Sequence, residues 1–310
     1  MKKIYVVAVG GANIDIHSRL LAPAVLRDSN PGTVSMSAGG VARNIGENMA
    51  RLGLSCSLLT AVGNDSFGEH ILSSCVRAGI DTNPVYISPN ASSSVYLDIN
   101  DCEGDMFLAS SDMRVLSTLP EDYFDWNREL LTQASAIVAD GNLTEKQISS
   151  LIDNKGQAPL IADPVSTAKV TRFLPFMDRI SVFKPNGMEL ATITGIPCDT
   201  ESGIVDAADL LLCKGLGRIV VSMGALGCYY ADNTGLHFFS RPPRVERPVS
   251  ATGAGDAFTA GLVCSLVNGG TPAEAVRLAM GCGAFAVQSA ETIHPDISIQ
   301  AVENYLGSVS

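Results

Sequence analysis

Short, uniformly apolar segments recur along the chain and alternate with segments in which apolar residues repeat every three or four positions. Uniformly apolar segments are typical of strands buried on both faces of a parallel sheet, whereas the second pattern indicates amphipathic helices. Strands are predicted at 4–9, 56–62, 136–139, 159–162, 181–184 and 218–222. The clearest helices are predicted at 41–52, 66–78 and 272–289. This alternation predicts an α/β fold with a doubly wound, mostly parallel sheet flanked by helices.

Two parts of the chain break this alternation. Apolar and polar residues alternate in 92–101 and again in 106–112, on either side of a turn, which predicts two antiparallel strands. Residues 13–36 are also non-helical and rich in turn residues. We predict that these regions form a small β-sheet lid, with a surface hairpin of no functional role as the alternative. The predicted lid comprises 13–36 and 85–115, and the predicted core comprises 1–12, 37–84 and 116–310.

Charge and cysteine content narrow the classes of function. The chain carries 21 Lys and Arg residues against 32 Asp and Glu residues, a net charge of −11. Such a field repels nucleic-acid backbones and anionic lipid surfaces, so neither is an expected partner. The eight cysteines and four histidines are scattered, which predicts neither a disulfide framework nor a zinc site. Because the first apolar run is too short for a signal peptide, a cytoplasmic location is predicted.

The segment SATGAGDAFTAGLVCSL, residues 250–266, joins a glycine-rich turn to the start of a predicted helix. Gly253, Ala254 and Gly255 are small enough for backbone amides to converge there, which would form an anion site. Asp256 could accept the proton of an attacking hydroxyl while the amides stabilise a transferred phosphoryl group. The helix N-terminus is expected to keep Asp256 ionised. The alternative is an ordinary tight turn followed by an N-terminal aspartate.

Two other glycine-containing segments offer polar groups to a polyhydroxylated ligand. GGANID follows the first predicted strand, at the edge of the sheet where α/β proteins bind ligands, and SAGGVARN leads into the first helix. A carboxylate and amides can pair with neighbouring sugar hydroxyls there. Glycine turns beside exposed polar residues are the alternative, and a dinucleotide site is excluded because no G-x-G-x-x-G follows the strand. The candidate contacts are Asn13, Asp15, Gly39, Gly40 and Asn44.

Two weaker segments lie between these motifs. KPNGMEL places Asn186 and Glu189 three residues apart, and VSMGALG places Ser222, Gly224 and Gly227 after a predicted strand. The asparagine and the glutamate could hold Mg²⁺ through water near nucleotide phosphates. The same pair could equally cap a helix.

The combination and order of GGVARN, KPNGMEL, VVSMGALG and ATGAGDAF resemble the PfkB (ribokinase-like) family of carbohydrate kinases over essentially the whole chain. The resemblance implies a ribokinase-like core with a β-sheet lid, MgATP as donor, a sugar hydroxymethyl group as acceptor, and a homodimer formed through the lid sheets. It implies that Asp256 is the base and that Gly253, Ala254 and Gly255 form the anion hole. The implied sugar contacts are Asn13, Asp15, Gly39, Gly40 and Asn44. The implied nucleotide contacts are Asn186, Glu189, Ser222, Gly224, Gly227, Thr252, Gly253 and Gly255.

Further segments, GGANIDI, DSNPG, IVADGNLTE and DPVS, resemble the bacterial pseudouridine kinases within this family. They imply phosphorylation of the 5′-hydroxyl of pseudouridine, with ribose or another ribonucleoside as the alternative, since residue chemistry alone does not identify the base. A non-catalytic sugar or nucleoside sensor is the alternative of another class, and the retained Asp256 argues against it. Many relatives carry an aspartate that helps to hold a monovalent cation where this chain has Ser250, so activation by K⁺ is not expected.

Overall fold

The computed structural model describes residues 4–308, which form fifteen β-strands and ten α-helices. The strands are β1 (Tyr5–Val9), β2 (Asn13–Leu20), β3 (Gly32–Gly39), β4 (Ser55–Leu59), β5 (Ala61–Gly63), β6 (Ile80–Asp81), β7 (Tyr86–Ser88), β8 (Ser94–Asn100), β9 (Met106–Asp112), β10 (Ala136–Asp140), β11 (Leu160–Asp163), β12 (Val182–Phe183), β13 (Arg218–Ser222), β14 (Cys228–Asp232) and β15 (His237–Ser240). The helices are α1 (Val41–Arg51), α2 (Ser66–Arg77), α3 (Tyr123–Trp126), α4 (Arg128–Gln133), α5 (Glu145–Asn154), α6 (Gly187–Thr194), α7 (Glu201–Cys213), α8 (Ala254–Val267), α9 (Pro272–Ala286) and α10 (Ile299–Ser308). Short 3₁₀ segments cover Arg114–Thr118, Val170–Arg179 and Gly224–Leu226.

Nine strands form the central sheet, in the order β15-β14-β13-β12-β11-β10-β1-β4-β6. Pairing is parallel from β6 across to β13, whereas the pairs β13–β14 and β14–β15 are antiparallel, so β14 runs opposite to the other eight strands of this sheet. Successive residues of β1 face opposite sides: Val6 and Ala8 pack into one apolar cluster, and Val7 and Val9 into the other. The predicted doubly wound, mostly parallel α/β fold is therefore confirmed. The sequence revealed it because strands buried on both faces carry apolar residues at every position.

Helices cover both faces of this sheet. Helices α1, α2, α8, α9 and α10 contribute to the cluster that contains Val6, whereas α3 to α7 contribute to the cluster that contains Val7. In the described part of the chain, no helix has the length and apolarity that crossing a bilayer requires.

The predicted strand at 56–62 is wrong as a single element. It divides after Leu59, and β5 leaves the central sheet to pair with β7 because the carbonyl of Thr60 accepts the N–H of Tyr86 at 2.9 Å. The helix predicted to reach residue 289 ends at Ala286. The carbonyl of Val287 accepts the N–H of Val249 at 2.7 Å, so a contact from the preceding loop replaces the helical bond.

A separate four-stranded sheet has the order β3-β2-β8-β9, with β2 and β8 parallel. Strand β3 continues to Gly39, so residues 37–39 lie in this sheet although they were predicted within the core. One face carries polar residues from both central strands: Asp15 pairs in register with Tyr96, and His17 with Asp98. The opposite face carries exposed apolar side chains at Val34, Met36, Leu97 and Leu108.

Candidate active site

Polar side chains from distant parts of the sequence meet at the carboxyl edge of the parallel strands. β10 ends at Asp140, β11 ends at Asp163, and β12 is followed directly by Lys184. β1 leads through Gly10 and Gly11 into the four-stranded sheet, which starts at Asn13. In open α/β sheets this edge is where ligands bind, so it is the candidate active site.

A glycine turn forms the centre of this site. Gly253 precedes α8 with a φ of 77°, and a Cβ there would lie 1.8 Å from the carbonyl oxygen of Thr292, so only glycine fits. The first amides of a helix have no acceptor within the helix, so the start of α8 can offer N–H groups to an anion. The N–H of Ala254 is the exception, because it donates to the carbonyl of Ala251 at 3.3 Å. A Cβ on Gly255 would lie 3.6 Å from Nζ of Lys184, so that ammonium group lies beside the same turn.

Asp256 lies in the first turn of α8 and is held by a residue far away in the sequence. Nδ2 of Asn44 donates a hydrogen bond to Oδ2 of Asp256 at 2.9 Å. Burial and the nearby carboxylate of Asp163 raise the pKa of Asp256 to about 7, against the opposing effects of Asn44 and Lys184. The helix N-terminus alone predicts a fully ionised Asp256, but desolvation and like charge outweigh the helix terminus and raise its pKa, so the carboxyl is only partly ionised at neutral pH. A carboxylate with a pKa near neutrality is suited to general-base work.

A buried ion pair lies next to Asp256. Nζ of Lys184 is 3.0 Å from Oδ2 of Asp163, and the hydroxyl of Thr259 donates to the same oxygen at 2.9 Å. Burial opposes the charge of Lys184, but Asp163, Glu189 and Asp256 together raise its pKa. Sequence reasoning named neither Lys184 nor Asp163 as a site residue. The available signal was a charged residue at the end of an apolar strand in KPNGMEL and in DPVS.

The candidate sugar contacts lie together, near the start of β2 and the end of β3. Oδ1 of Asp15 accepts a hydrogen bond from Nδ2 of Asn13 at 2.6 Å, and burial raises the pKa of Asp15. A Cβ on Gly39 would lie 1.9 Å from Oδ2 of Asp15, so the absence of a side chain leaves space for that carboxylate. Gly40 has a φ of 99°, and a Cβ there would lie 2.5 Å from Cα of Ala12. The glycines thus bring the start of α1, and with it Asn44, against β2.

Asp140 is a third residue of the site that the sequence did not reveal. Its fully buried carboxylate accepts backbone N–H groups from Gly11, Ala42 and Asn142, each at 2.8 Å. A Cβ on Gly10 would lie 2.3 Å from that carboxylate. Asp140 therefore ties the end of β1, the start of α1 and the loop after β10 into one unit that positions the site.

The candidate nucleotide residues lie farther along the same edge. Oδ1 of Asn186 accepts the N–H of Glu189 at 2.9 Å, and Oε2 of Glu189 accepts the N–H of Asn186 at 2.8 Å. These two contacts form a capping box at the start of α6. Of the two roles that the sequence left open for this pair, helix capping is therefore the one observed. Asn186 also pairs with Ser222 in an isolated β-bridge. Gly224 and Gly227, at φ of 57° and 104°, shape the turn that follows.

The turn before α8 has no carboxylate at its first position. The hydroxyl oxygen of Ser250 accepts the N–H of Thr252 at 3.2 Å, and Thr252 is exposed just ahead of Gly253. Ser250 thus closes the turn with a neutral group. The expectation that K⁺ does not activate the protein stays a prediction.

Comparisons with known proteins identify the family and the fold of the chain. The model of the PfkB family carbohydrate kinases matches residues 3–299. The pseudouridine kinase of Escherichia coli K12 is 36% identical over 301 residues, which is 97% of this chain and 96% of that protein. A Clostridium perfringens structure described as a candidate sugar kinase is 29% identical, with a TM-score of 0.89, over 100% of this chain and 98% of that one. Arabidopsis thaliana ribokinase, complexed with ribose and ATP, has a TM-score of 0.86 at 21% identity, over 99% of each chain, and shares the fold.

Proposed function

The chain belongs to the PfkB family of carbohydrate kinases, and from that premise we propose that it transfers a phosphoryl group from ATP to the 5′-hydroxyl of a ribonucleoside, with pseudouridine as the preferred substrate. The observation that carries the proposal is Asp256, held by Asn44 at the mouth of the glycine turn with a pKa near neutrality. The substrate assignment is supported by the likeness to a pseudouridine kinase along nearly the whole chain. Ribose or another ribonucleoside is the second candidate.

In the proposed reaction Asp256 accepts the proton of the 5′-hydroxyl as its oxygen attacks the γ-phosphorus of ATP, and ADP leaves with the electron pair of the broken P–O bond. The amides of the turn at 253–255 and the ammonium of Lys184 would stabilise the negative charge on the transferred group. Asp15 and Asn13 would bind the sugar hydroxyls and orient the nucleophile.

Mg²⁺ would enter with the nucleotide as part of the substrate and neutralise charge on its phosphates. The carboxylates of Asp163, Glu189 and Asp256 all raise the pKa of Lys184, so negative charge exceeds positive charge on this side of the site, and a cation that arrives with the phosphates would offset it. Burial raises the pKa of Glu189, which a cation nearby would oppose. Glu189 stays our candidate for contact with Mg²⁺ through water.

We also propose that the four-stranded sheet acts as a lid over the sugar. Asp15 lies on the polar face of this sheet, and its strand β2 follows β1 after a short connection. The exposed apolar face would be covered by the same face of a second copy, forming a homodimer.

Leu97→Asp is expected to convert the dimer to a monomer, because it places a charge in an apolar interface. Light scattering after size-exclusion chromatography measures this, and a monomeric unmodified protein would contradict it.

Pseudouridine with MgATP is expected to give a 5′-monophosphate, with a higher kcat/KM than uridine, cytidine, adenosine or ribose. Mass spectrometry of parallel reactions identifies the product, and initial rates rank the substrates. If ribose or adenosine is turned over as fast as pseudouridine, the substrate assignment fails and the kinase assignment remains.

Asp15→Ala is expected to weaken nucleoside binding by about 10- to 100-fold while ATP binding changes little. A carboxylate that pairs with two hydroxyls makes charge-assisted hydrogen bonds worth about 1.5–3 kcal/mol each at most. Calorimetric titration with each ligand measures the two affinities, and Ser18→Ala, on the opposite face of β2, is the matched control. Unchanged nucleoside affinity in Asp15→Ala would mean that this carboxylate only supports the lid.

A further inference from the structure

A cleft of about 370 Å³ opens between the end of the four-stranded sheet and the loop that follows β10. Its lid side includes Ser111 and Met113, and its core side includes Asn142, Lys169 and Arg172. We call it the Lys169 cleft. None of these five residues has a part in the reaction proposed above.

Both walls of the Lys169 cleft adjoin elements that carry the candidate sugar contacts. On the lid, Ser111 pairs in register with Tyr96, and Tyr96 pairs with Asp15, so the three side chains share one face. With neighbouring strands about 4.8 Å apart, Ser111 lies about 10 Å from Asp15. On the core side, a Cβ on Gly11 would lie 2.6 Å from Nδ2 of Asn142, so Asn142 packs beside the end of β1. The cleft is therefore a lateral extension of the sugar site.

The core wall presents hydrogen-bond donors. Nζ of Lys169 donates to Oδ1 of Asn142 at 2.6 Å, which uses one of the three donors of the ammonium group. Nη1 of Arg172 donates to the carbonyls of residues 141, 142 and 143 at 2.8, 3.3 and 3.1 Å, so Arg172 fixes the loop that carries Asn142. Arg172 is therefore a positioning residue, and Lys169 is the group that can reach a ligand.

Two further observations single out the segment that carries Lys169. Val165, four residues earlier, has a φ of 68°, a left-handed conformation that is strained for a β-branched residue. Such strain persists where surrounding structure enforces it, commonly at ligand sites. Burial lowers the pKa of Lys169 and the charge of Arg172 adds to this, while the carboxylate of Asp140 opposes them. A ligand oxygen accepting from the ammonium would offset part of that cost.

We infer that the Lys169 cleft receives the base of the nucleoside, and that Lys169 donates a hydrogen bond to a carbonyl oxygen of a pyrimidinedione ring. A pyrimidinedione presents two carbonyl acceptors, whereas the exocyclic amino group of adenine is a donor and would face the remaining N–H donors of the ammonium without accepting from them. The thioether of Met113 offers a polarisable surface on the lid side for a flat ring. This inference rests on the proposed function and deepens it, since it names the group that selects the base.

The test compares Lys169→Met, which keeps an unbranched side chain of similar length and removes its charge, with the unmodified protein on two substrates. One is pseudouridine, and the other is 1,4-anhydro-D-ribitol, which keeps the furanose ring and its 5′-hydroxyl and lacks a base. We expect Lys169→Met to lower kcat/KM for pseudouridine by about 10- to 100-fold, the range for a hydrogen bond to a charged group. The anhydroribitol value is expected to change less than twofold. Where its turnover is too slow to measure, its inhibition constant against pseudouridine replaces it.

Lys146→Met is the matched control, because Lys146 is exposed and pairs with Glu121 away from the cleft. It should leave both substrates unaffected. Equal losses on both substrates in Lys169→Met would assign Lys169 a structural role, and an unchanged value for pseudouridine would remove it from the base site. Either result overturns the inference. Failure of the proposed function looks different, since the unmodified protein would then phosphorylate none of the nucleosides.

Discussion

Asp256→Asn is expected to lower kcat by roughly 10²–10⁴, the range for loss of a general base. The substitution keeps the shape of the side chain and one oxygen to accept the hydrogen bond from Asn44, and it removes the proton-accepting carboxylate. ATP affinity should be retained or rise slightly, because a negative charge leaves the phosphate site. Single-turnover rates, which isolate the chemical step, measure the effect. A folded Asp256→Asn protein with more than about a tenth of the unmodified kcat would exclude Asp256 as the base.

The raised pKa of Asp256 adds a pH profile to this prediction. Because a base must be deprotonated to act, kcat/KM should fall as pH drops below about 7, the pKa of this carboxyl. Stability should change in the opposite sense. A carboxyl whose pKa is higher in the folded than in the unfolded state opposes folding increasingly from about pH 4 to pH 7, and fully above that. At pH 8, Asp256→Asn should therefore unfold no earlier than the unmodified protein, although it has lost activity.

Lys184→Met is expected to destabilise the protein by about 3–5 kcal/mol, because it leaves the buried carboxylate of Asp163 without its partner. Activity should fall as well, since the ammonium lies beside Gly255 in the turn that would bind the phosphoryl group. Loss of the cation should also raise the pKa of Asp256 further and move the pH profile to more alkaline values. Urea unfolding and pH–rate profiles measure these effects separately.

Two further variants separate the stability effect from the catalytic one. Lys184→Met combined with Asp163→Asn leaves no unpaired buried charge, so it should recover much of the stability without recovering activity. Lys155→Met removes another buried lysine, whose ammonium donates to the carbonyls of Gly156 and Ala158, and it should leave kcat unchanged. If Lys184→Met retains both native stability and native kcat, the buried pair has neither role.

The hydrophobic pattern by itself determined the class of fold. Uniformly apolar runs such as 4–9 and 136–139 became parallel strands, and the spacing of apolar residues in α1 and α2 located those helices within a residue or two. These features are local, since a strand buried on both faces and a helix with one buried face each leave their own period in the sequence. Gly253 was also recognisable, because a turn that leads into a helix needs a residue able to adopt positive φ.

The chemistry of the site was decided by tertiary structure. Asn44 and Asp256 are 212 positions apart, and Lys184 and Asp163 are 21 apart, so no local pattern could show that each pair meets. The pKa of Asp256 depends on burial and on charges from other strands, which is why reasoning from its helix terminus alone did not predict that this pKa is raised. Periodicity records which way a residue faces, whereas desolvation and charge depend on what the fold brings within a few ångströms of it.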